Sequence, residues 1–440
     1  MHHHLRRPSS FLRRLSTTTT SSFIYTHPES QSTHQPSSTV QILTWGRGSS
    51  GQLGGGKEEI RFYPTLLSSL LLPRTFSLSP TPGRLPAAAG PASGVEVGVS
   101  CGLFHSAALV DGRVWVWGKG DGGRLGLGDE RSLFEPSPNP NLEDVRSLAL
   151  GGLHSAALTR AGEALTWGYG GFGALGHSVY HRELLPRLVN GPWNGTLSHL
   201  ATSGAHTAAV TDSGELYTWG RDEGDGRLGL GSGGGPGEGG SLGIPSKVKA
   251  LPVPVVSVCC GGFFTMVLTA EGQLWNWGAN SNFELGRGNN VSSWRPQPIP
   301  SLQDVRIIQI AAGGYHCLAL TEKGEVLSWG HGGHGQLGHG STQKQKVPLA
   351  IEALAQEHIV YIACGGSSSA AISDKGKLFM WGNAGDCQLG VPGLPEVQSL
   401  PVEVKFLMDD DEELGSHHVL SVAVGASHAM CLVSRQPSHA

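Results

Sequence analysis

Charge is scarce in this chain of 440 residues: Asp, Glu, Lys and Arg together supply 15%, against about 25% in an ordinary globular domain. Coiled coils and helical solenoids need faces rich in Ala, Leu, Glu and Lys, so that shortage excludes them. Long apolar runs are missing too. The best of them, 66–72, stops at Pro73 and falls far short of the roughly 18 residues a membrane-spanning helix needs. Cysteine numbers seven, an odd count with no C-x-x-C, which gives neither a closed disulfide framework nor a zinc ribbon and fits a reducing compartment. A Walker phosphate loop and a Lys/Arg run of the nuclear-import type are also absent.

Glycine is what the chain has instead. There are 66 glycines among 440 residues, about twice the usual ~7%. Each would cost a helix roughly 1 kcal/mol, so a mainly helical protein is excluded, and without a Gly-x-y period collagen is excluded as well. The hydrophobic share of 38% and 11 Trp suffice for a sizeable core, unlike a disordered chain. An all-β protein with glycine-punctuated turns remains.

The first forty residues differ from the rest. Arg6, Arg7, Arg13 and Arg14 interleave with Leu5, Phe11, Leu12 and Leu15, a Ser/Thr tract follows, and no acid precedes Glu29. An Arg-rich, Ser-rich, acid-poor start describes an organelle transit peptide, and its arginines favour the mitochondrion. We expect a leader over 1–36. Losing its four arginines and Glu29 takes the formal net charge from −4 to −7, so the mature protein has no global attraction for nucleic acid, and any RNA contact must be indirect or local.

An internal repeat decides the architecture. Trp-Gly occurs seven times, at Trp45, Trp117, Trp167, Trp219, Trp277, Trp329 and Trp381, mostly 50–58 residues apart. Eight residues after each Trp-Gly glycine, or nine in the fourth copy, an x-Leu-Gly ends at Gly54, Gly126, Gly176, Gly229, Gly286, Gly338 and Gly390. A third marker, G-x-x-H-S-A-A-L in its fullest form, precedes every Trp-Gly but the first and appears once more at 425–432. The first Trp-Gly thus lacks the marker that the last unit has to spare. Such complementarity predicts a closed ring in which the strand around 40–46 pairs with the C-terminal strands. Each unit holds four short strand patterns, with a glycine turn between the second and third at Gly112, Gly162, Gly214, Gly272, Gly324 and Gly376, where a hairpin calls for positive φ. The expected fold is all-β, a seven-bladed β-propeller of four-stranded antiparallel blades over 40–434, with inserts at 68–94 and 232–240 and a tail at 435–440.

These units resemble the regulator-of-chromosome-condensation repeat family, whose blades read V-x-x-I-A-x-G-x-x-H-[ST]-x-x-L-T-x-x-G-x-[VL]-x-x-W-G-x-x-x-x-G-Q-L-G; residues 306–338 match it almost throughout. The resemblance implies a binding platform rather than an enzyme. The founding member is a nuclear exchange factor for a Ran-type GTPase that also binds histones, and others are plant ultraviolet-B photoreceptors. Photoreceptor units place Trp and Arg before the recurrent His, where this chain has Leu103-Phe104, Gly152-Leu153 and Gly314-Tyr315. With its leader, the chain looks most like plant mitochondrial members. That likeness implies a matrix protein, monomeric and without cofactor, that supports intron splicing of complex I transcripts through splicing or ribonucleoprotein factors. The alternative is exchange on a small Ran-like GTPase.

In a repeat protein the recurrent residues are architectural and the departures are where function is sought. The seven Trp are structural anchors, as are His105, His154, His206, His316 and His428, whose position is filled by Phe264 and Ser368 in the other two units. A histidine that Phe replaces packs and hydrogen-bonds; it does not catalyse. Cys101, Cys260 and Cys364 share a position with Leu150, Thr202, Ala312 and Val424 and act as small hydrophobes. The G-x-G-x-x-G strings at Gly168, Gly170, Gly173 and at Gly330, Gly332, Gly335 lack a following helix and are turn glycines, not a dinucleotide fingerprint. Among the departures, His331, His334 and His339 share one loop; three imidazoles could hold zinc, but polar loop residues are the reading adopted, with no metal. The 68–94 insert carries Arg74 and Arg84 and is the nearest thing to an interface wedge. Asp409, Asp410 and Asp411 open an acidic run able to meet a basic partner. Lys344 and Lys346 form the one compact basic patch beyond the leader.

Overall fold

The computed structural model describes residues 23–26, 37–86, 94–222, 224–231, 240–406 and 417–435. They form seven sheets of four antiparallel blade strands arranged around a central channel, and in all but the blade that closes the ring the innermost blade strand comes first in the chain. The expected leader, apart from 23–26, lies outside the described residues, as do most of the 232–240 insert, Asp409–Asp411 and the tail beyond 435. No helix among the described residues is long and apolar enough to cross a membrane.

Blade 1 closes the ring. Its two inner strands, His417–Val424 and His428–Arg435, come from the C-terminus, and its two outer strands, Ser37–Arg47 and Ile60–Pro73, from the N-terminus. Between them, Val40 pairs with Ser434 and Gly46 with His428, in unbroken register. The strand Phe23–Thr26 adds parallel to Ile60–Pro73 at the outer edge, so four residues of the expected leader are built into the blade. Tyr25 there meets the Trp115 ring edge-on at 6.1 Å.

The remaining blades run in chain order. Blade 2 is Glu96–Cys101, His105–Val110, Arg113–Gly118 and Leu133–Pro138. Blade 3 is Val145–Leu150, His154–Thr159, Ala164–Gly168 and Glu183–Leu188. Blade 4 is Leu197–Thr202, His206–Thr211, Leu216–Arg221 and Ser241–Lys247. Blade 5 is Ser257–Cys260, Phe264–Leu268, Leu274–Gly278 and Ser293–Pro298. Blade 6 is Ile307–Ala312, His316–Thr321, Val326–Gly330 and Gln345–Ala350. Blade 7 is Ile359–Cys364, Ser368–Ser373, Leu378–Asn383 and Val397–Glu403.

Burial follows position in the blade. Second strands such as His154–Thr159 are buried at every residue, because neighbouring blades cover both faces; hence the short continuous Ala/Leu/Val runs in place of alternation. Each of the seven hydrophobic clusters holds one fully buried Trp-Gly tryptophan. Outer strands face solvent and each carries a proline, namely Pro64, Pro136, Pro186, Pro245, Pro296, Pro348 and Pro401. Proline has no N–H to offer a second chain, so the exposed edges resist pairing with other molecules.

Closure predicts a specific sensitivity. Ile42 sits in the Ser37–Arg47 strand between Leu432 and Ser68, so Ile42→Pro removes a ladder bond at the seam and should destabilise by about 3 kcal/mol or more. Hydrogen exchange should rise first in His428–Arg435; uniform exchange with an unchanged unfolding midpoint would count against the seam.

Candidate functional site

The repeat markers meet at one point between each pair of blades. The residue before Leu-Gly offers its backbone carbonyl, and the next blade's tryptophan Nε1–H donates to it. Trp117 donates to Gln52 O at 2.9 Å, Trp167 to Arg124 O at 2.9 Å, Trp219 to Ala174 O at 2.9 Å and Trp277 to Arg227 O at 2.9 Å. Trp329 donates to Glu284 O at 2.7 Å, Trp381 to Gln336 O at 2.9 Å and Trp45 to Gln388 O at 2.8 Å, which completes the circle. The bond to the tryptophan uses only the carbonyl, so it tolerates Gln, Arg, Ala or Glu there, while the Gln and Glu side chains accept from the backbone N–H two residues earlier and the arginines reach Gly152 O and Gly262 O.

A second donor reaches the same carbonyl. The hydroxyl after the recurrent histidine donates to it: Ser106 to Gln52 O, Ser155 to Arg124 O, Thr207 to Ala174 O, Thr265 to Arg227 O and Ser369 to Gln336 O, at 2.7–2.9 Å. With its proton so committed, the hydroxyl accepts from the preceding blade's histidine. His105 Nε2 lies 2.8 Å from Ser155 Oγ, His154 Nε2 2.8 Å from Thr207 Oγ1 and His206 Nε2 2.9 Å from Thr265 Oγ1. His316 Nε2 lies 2.9 Å from Ser369 Oγ, and His428 Nε2 2.9 Å from Ser106 Oγ. Donor and acceptor supply assign the proton to Nε2 in all five.

The two exceptions prove instructive. Phe264 replaces His where the next blade offers Cys317, and Ser368 replaces His where the next blade offers Ala429. Where the hydroxyl partner is lost the imidazole is lost with it, so no histidine is left facing a group unable to accept. Burial pushes these imidazoles down from their usual range, His154 to about 4 and His316 and His428 to about 3, because a cation there would lose its hydration. They are neutral cross-braces between blades.

Glycine closes the contact. A Cβ at Gly102 would meet His105 Cε1 at 2.3 Å and one at Gly126 would meet Trp167 Nε1 at 2.9 Å, so both marker glycines are close-approach sites.

The 68–94 insert lies elsewhere than expected. Residues 68–73 finish the long outer strand of blade 1, and Arg74 is exposed just after it. The chain then turns into the channel. Ser77–Leu78 pairs parallel with Glu96 and Val97, Gly83 N–H donates to Val258 O at 2.9 Å, Ile310 N–H donates to Gly83 O at 2.8 Å, and Leu85 N–H donates to Ile308 O at 3.0 Å. His199 Nε2 lies 3.2 Å from Thr81 O, and Tyr361 Oη–H donates to Thr81 Oγ1 at 3.4 Å. Residues 77–85 therefore bridge the innermost strands of blades 2, 4, 5, 6 and 7 near the strands' beginnings. They plug that end of the channel. Arg84, half-buried, stacks 5.5 Å from the Tyr361 ring, so it is a channel residue and not part of a protruding wedge. Above the plug remains a cavity of about 170 Å³ lined by Cys101, Thr202, Cys260, Ala312, Cys364 and Val424, among others. Burial drives its thiols up out of reach of the reactive thiolate.

One string escaped the sequence reading. Gly98-Val99-Ser100-Cys101-Gly102 has the G-x-S-x-G form, yet Ser100 lies inside the strand Glu96–Cys101, without the strand-to-helix turn that exposes a nucleophile. The plug was missed as well; Thr81-Pro82-Gly83 announced a turn but not where it docks.

The three loop histidines do not converge. His339 Nε2 lies 2.8 Å from Ser328 Oγ and His331 Nδ1 3.2 Å from Gln336 Nε2, while His334 is exposed. No group of three potential metal ligands occurs among the described residues. Lys344 and Lys346 are both exposed, near this loop.

A seven-bladed propeller latched blade to blade by Trp, Ser/Thr and His is a closed repeat propeller by class. The chain belongs to the RCC1-like family: residues 36–356 match the RCC1-like domain and 375–432 the regulator of chromosome condensation repeat. It is 62% identical to the mitochondrial RCC1 domain-containing protein RUG3 of Arabidopsis thaliana over 450 aligned positions, 99% of each chain. It is 32% identical to the ultraviolet-B receptor UVR8 of the same plant over 356 positions, 80% of this chain and 74% of the other. Among solved structures, human WBSCR16 shares the fold at TM-score 0.69 and 24% identity, covering 89% of this chain and 98% of that one. Prp20p of Saccharomyces cerevisiae shares it at TM-score 0.74 and 20% identity, covering 92% and 93%.

Two outcomes test the latch. Because the folded-state histidine values lie below the unfolded ~6.5, the unfolded chain binds more protons in acid; stability is full above pH 6.5 and falls as pH drops toward 4. The loss should approach about 1.4 kcal/mol per pH unit for each latch histidine, measured by denaturant unfolding at pH 7 and 5; equal midpoints would contradict it. Separately, His154→Phe should destabilise by about 1–3 kcal/mol by leaving Thr207 without its partner, and adding Thr207→Cys should recover part of that loss, since Phe264 and Cys317 already coexist; strict additivity in the double-mutant cycle would refute the coupling.

Proposed function

We propose that this protein is a non-enzymatic propeller scaffold of the mitochondrial matrix that supports organellar RNA processing, in particular intron splicing of complex I subunit transcripts, and through it complex I biogenesis. The observation that carries the reading is the 62% identity, end to end, with a relative named as mitochondrial. The Arg-rich, acid-poor start at 1–28 agrees with it. In the ring, the five recurrent histidines are committed to inter-blade bonds, which leaves exposed loops as the surface on which splicing or ribonucleoprotein factors would be recruited. The splicing role itself rests on family likeness.

Exchange on a small GTPase is the second reading, favoured by the RCC1-like family assignment. Its expected wedge is weakened, because residues 77–85 are enclosed in the channel.

Two measurements divide the readings. In a loss-of-function plant line, the ratio of unspliced to spliced complex I transcripts should rise at least severalfold for one or more introns; normal splicing throughout would remove the proposal. Purified protein should leave nucleotide release from mitochondrial small GTPases unaccelerated; a clear acceleration would replace the scaffold with an exchange factor.

A further inference from the structure

The loops on the two faces of the ring differ in chemistry. One face carries the short hairpin turns, such as those at Gly324 and Gly376. The other, opposite the plug, carries the G-x-x-H loops around the channel mouth and the long loops after Trp-Gly. On this second face, blades 5 and 6 present a continuous aromatic and basic track. Phe263 and Tyr315, one at the tip of each blade's G-x-x-H loop, stack at 5.2 Å between centroids and 21° between planes. Arg227, held by Asp225, covers the Phe263 ring at 4.7 Å. From Tyr315 the track continues to His331 at 6.3 Å and on to His334 at a further 6.3 Å. Lys344 lies close enough to His331 to disfavour its cationic form and reaches Ser281 O at 3.4 Å. Beside it, Lys346 lies 5.5 Å from the Phe283 ring.

Two features set this sector apart. Phe283 has φ +66 at the position where Gly51, Gly123, Gly173, Gly226 and Gly335 stand in other blades; blade 7 has the smaller Cys387 there at φ +59, so Phe283 is the one aromatic side chain at this position. A bulky side chain in the left-handed region is costly, and such strain concentrates at functional sites. The second is charge. In the loops 261–263, 279–292, 313–315 and 331–346 the sole carboxylate is Glu284, which is fully buried, while Lys344 and Lys346 are exposed. The aromatic contacts of blades 2 to 4 on the same face, Lys119 over Phe104, Tyr169 against Phe172 and Arg221 over Phe172, stand instead among Asp121, Asp129, Glu130 and Asp222. An acidic protein thus keeps one aromatic sector clear of exposed acids.

The exposed Tyr315 ring, backed by Phe263 and flanked by His331, His334 and two exposed lysines with no exposed carboxylate among those loops, fits a polyanion whose units carry flat rings. We propose that the Phe263–Tyr315–His331 track with Lys344 and Lys346 binds single-stranded RNA, bases stacking on Tyr315 and its neighbours and phosphates meeting the two lysines. The choice of RNA rests on the RNA-processing reading above; the stacking and charge arguments rest on the site alone. An acidic protein surface would meet the lysines equally well, but the exposed aromatic ring beside them favours a polyanion whose own units stack.

The test is fluorescence anisotropy of the full chain with a labelled 12-nucleotide oligouridine, and with the matching DNA and an RNA duplex as competitors. Tyr315→Ala should weaken binding about tenfold and Tyr315→Phe should restore it; folding is not at stake, since Ala205 and Ser367 hold that position in other blades. Lys344→Glu with Lys346→Glu should weaken binding further and lower the salt slope by about 1.4, two phosphates' worth. Lys323→Glu with Lys375→Glu, exposed on the opposite face, makes the same charge change and should leave binding intact. No binding at 50 mM salt, equal loss in both lysine pairs, or preference for duplex or DNA would overturn the proposal. In plants, a Tyr315→Ala transgene that restores splicing fully would sink the RNA track while leaving the scaffold reading in place, whereas normal splicing in the null line would sink the scaffold reading alone. A Tyr315→Ala protein with intact RNA binding and failed splicing would assign the track to a protein partner and overturn it too.

Discussion

Everything in this ring hangs on a backbone carbonyl buried between each pair of blades. It receives an indole N–H in all seven interfaces and a hydroxyl in five of them. In the dry space between blades, leaving that acceptor unpaired would cost its full desolvation. The tryptophan therefore has two inseparable tasks: its ring fills the interface core, and its one polar atom satisfies the carbonyl. The glycines follow as consequences. The x-Leu-Gly glycine makes room for the next tryptophan, and the G-x-x-H glycine makes room for the imidazole.

Much of this was legible in the sequence because the structure repeats itself. The unpaired Trp-Gly at Trp45 and the unpaired G-x-x-H at 425–432 announced a closed ring, and strand Ser37–Arg47 pairs with His428–Arg435 as that pattern required. The replacement of His by Phe264 and Ser368 was visible too, and excluded catalysis. Its cause was not, because Cys317 and Ala429 lie more than fifty residues further along, and only the fold brings each beside its partner. The channel plug was illegible for another reason. It occurs once, has no period, and is held by backbone bonds to Val258, Ile308 and Ile310, whose positions depend on the completed ring. Arg84 read as a surface candidate since a polar side chain in a Pro-rich insert normally is one. The loop histidines illustrate the same limit, since spacing places His331, His334 and His339 in one loop but does not show that His339 turns to Ser328 while His331 and His334 neighbour each other.

The plug gives the two faces unequal roles. One end of the channel is closed by residues 77–85, and the hairpin turns around it are short. The other end is ringed by long loops whose tips vary from blade to blade, and there the chain departs most from its own repeat. A rigid, self-closing frame beneath variable loops is how repeat propellers separate stability from recognition. The latch supplies the first and leaves the second free to diverge.

These latches bind seven small sheets into one cooperative unit. Solvent exchange of the seven Trp-Gly indole N–H protons, followed by nitrogen-proton correlation spectra in deuterated water, measures it directly. All seven should exchange slowly, at a common rate that tracks global unfolding across denaturant. Distinct rates, with individual blades opening well below the global free energy, would contradict the account and make the ring a set of independent repeats.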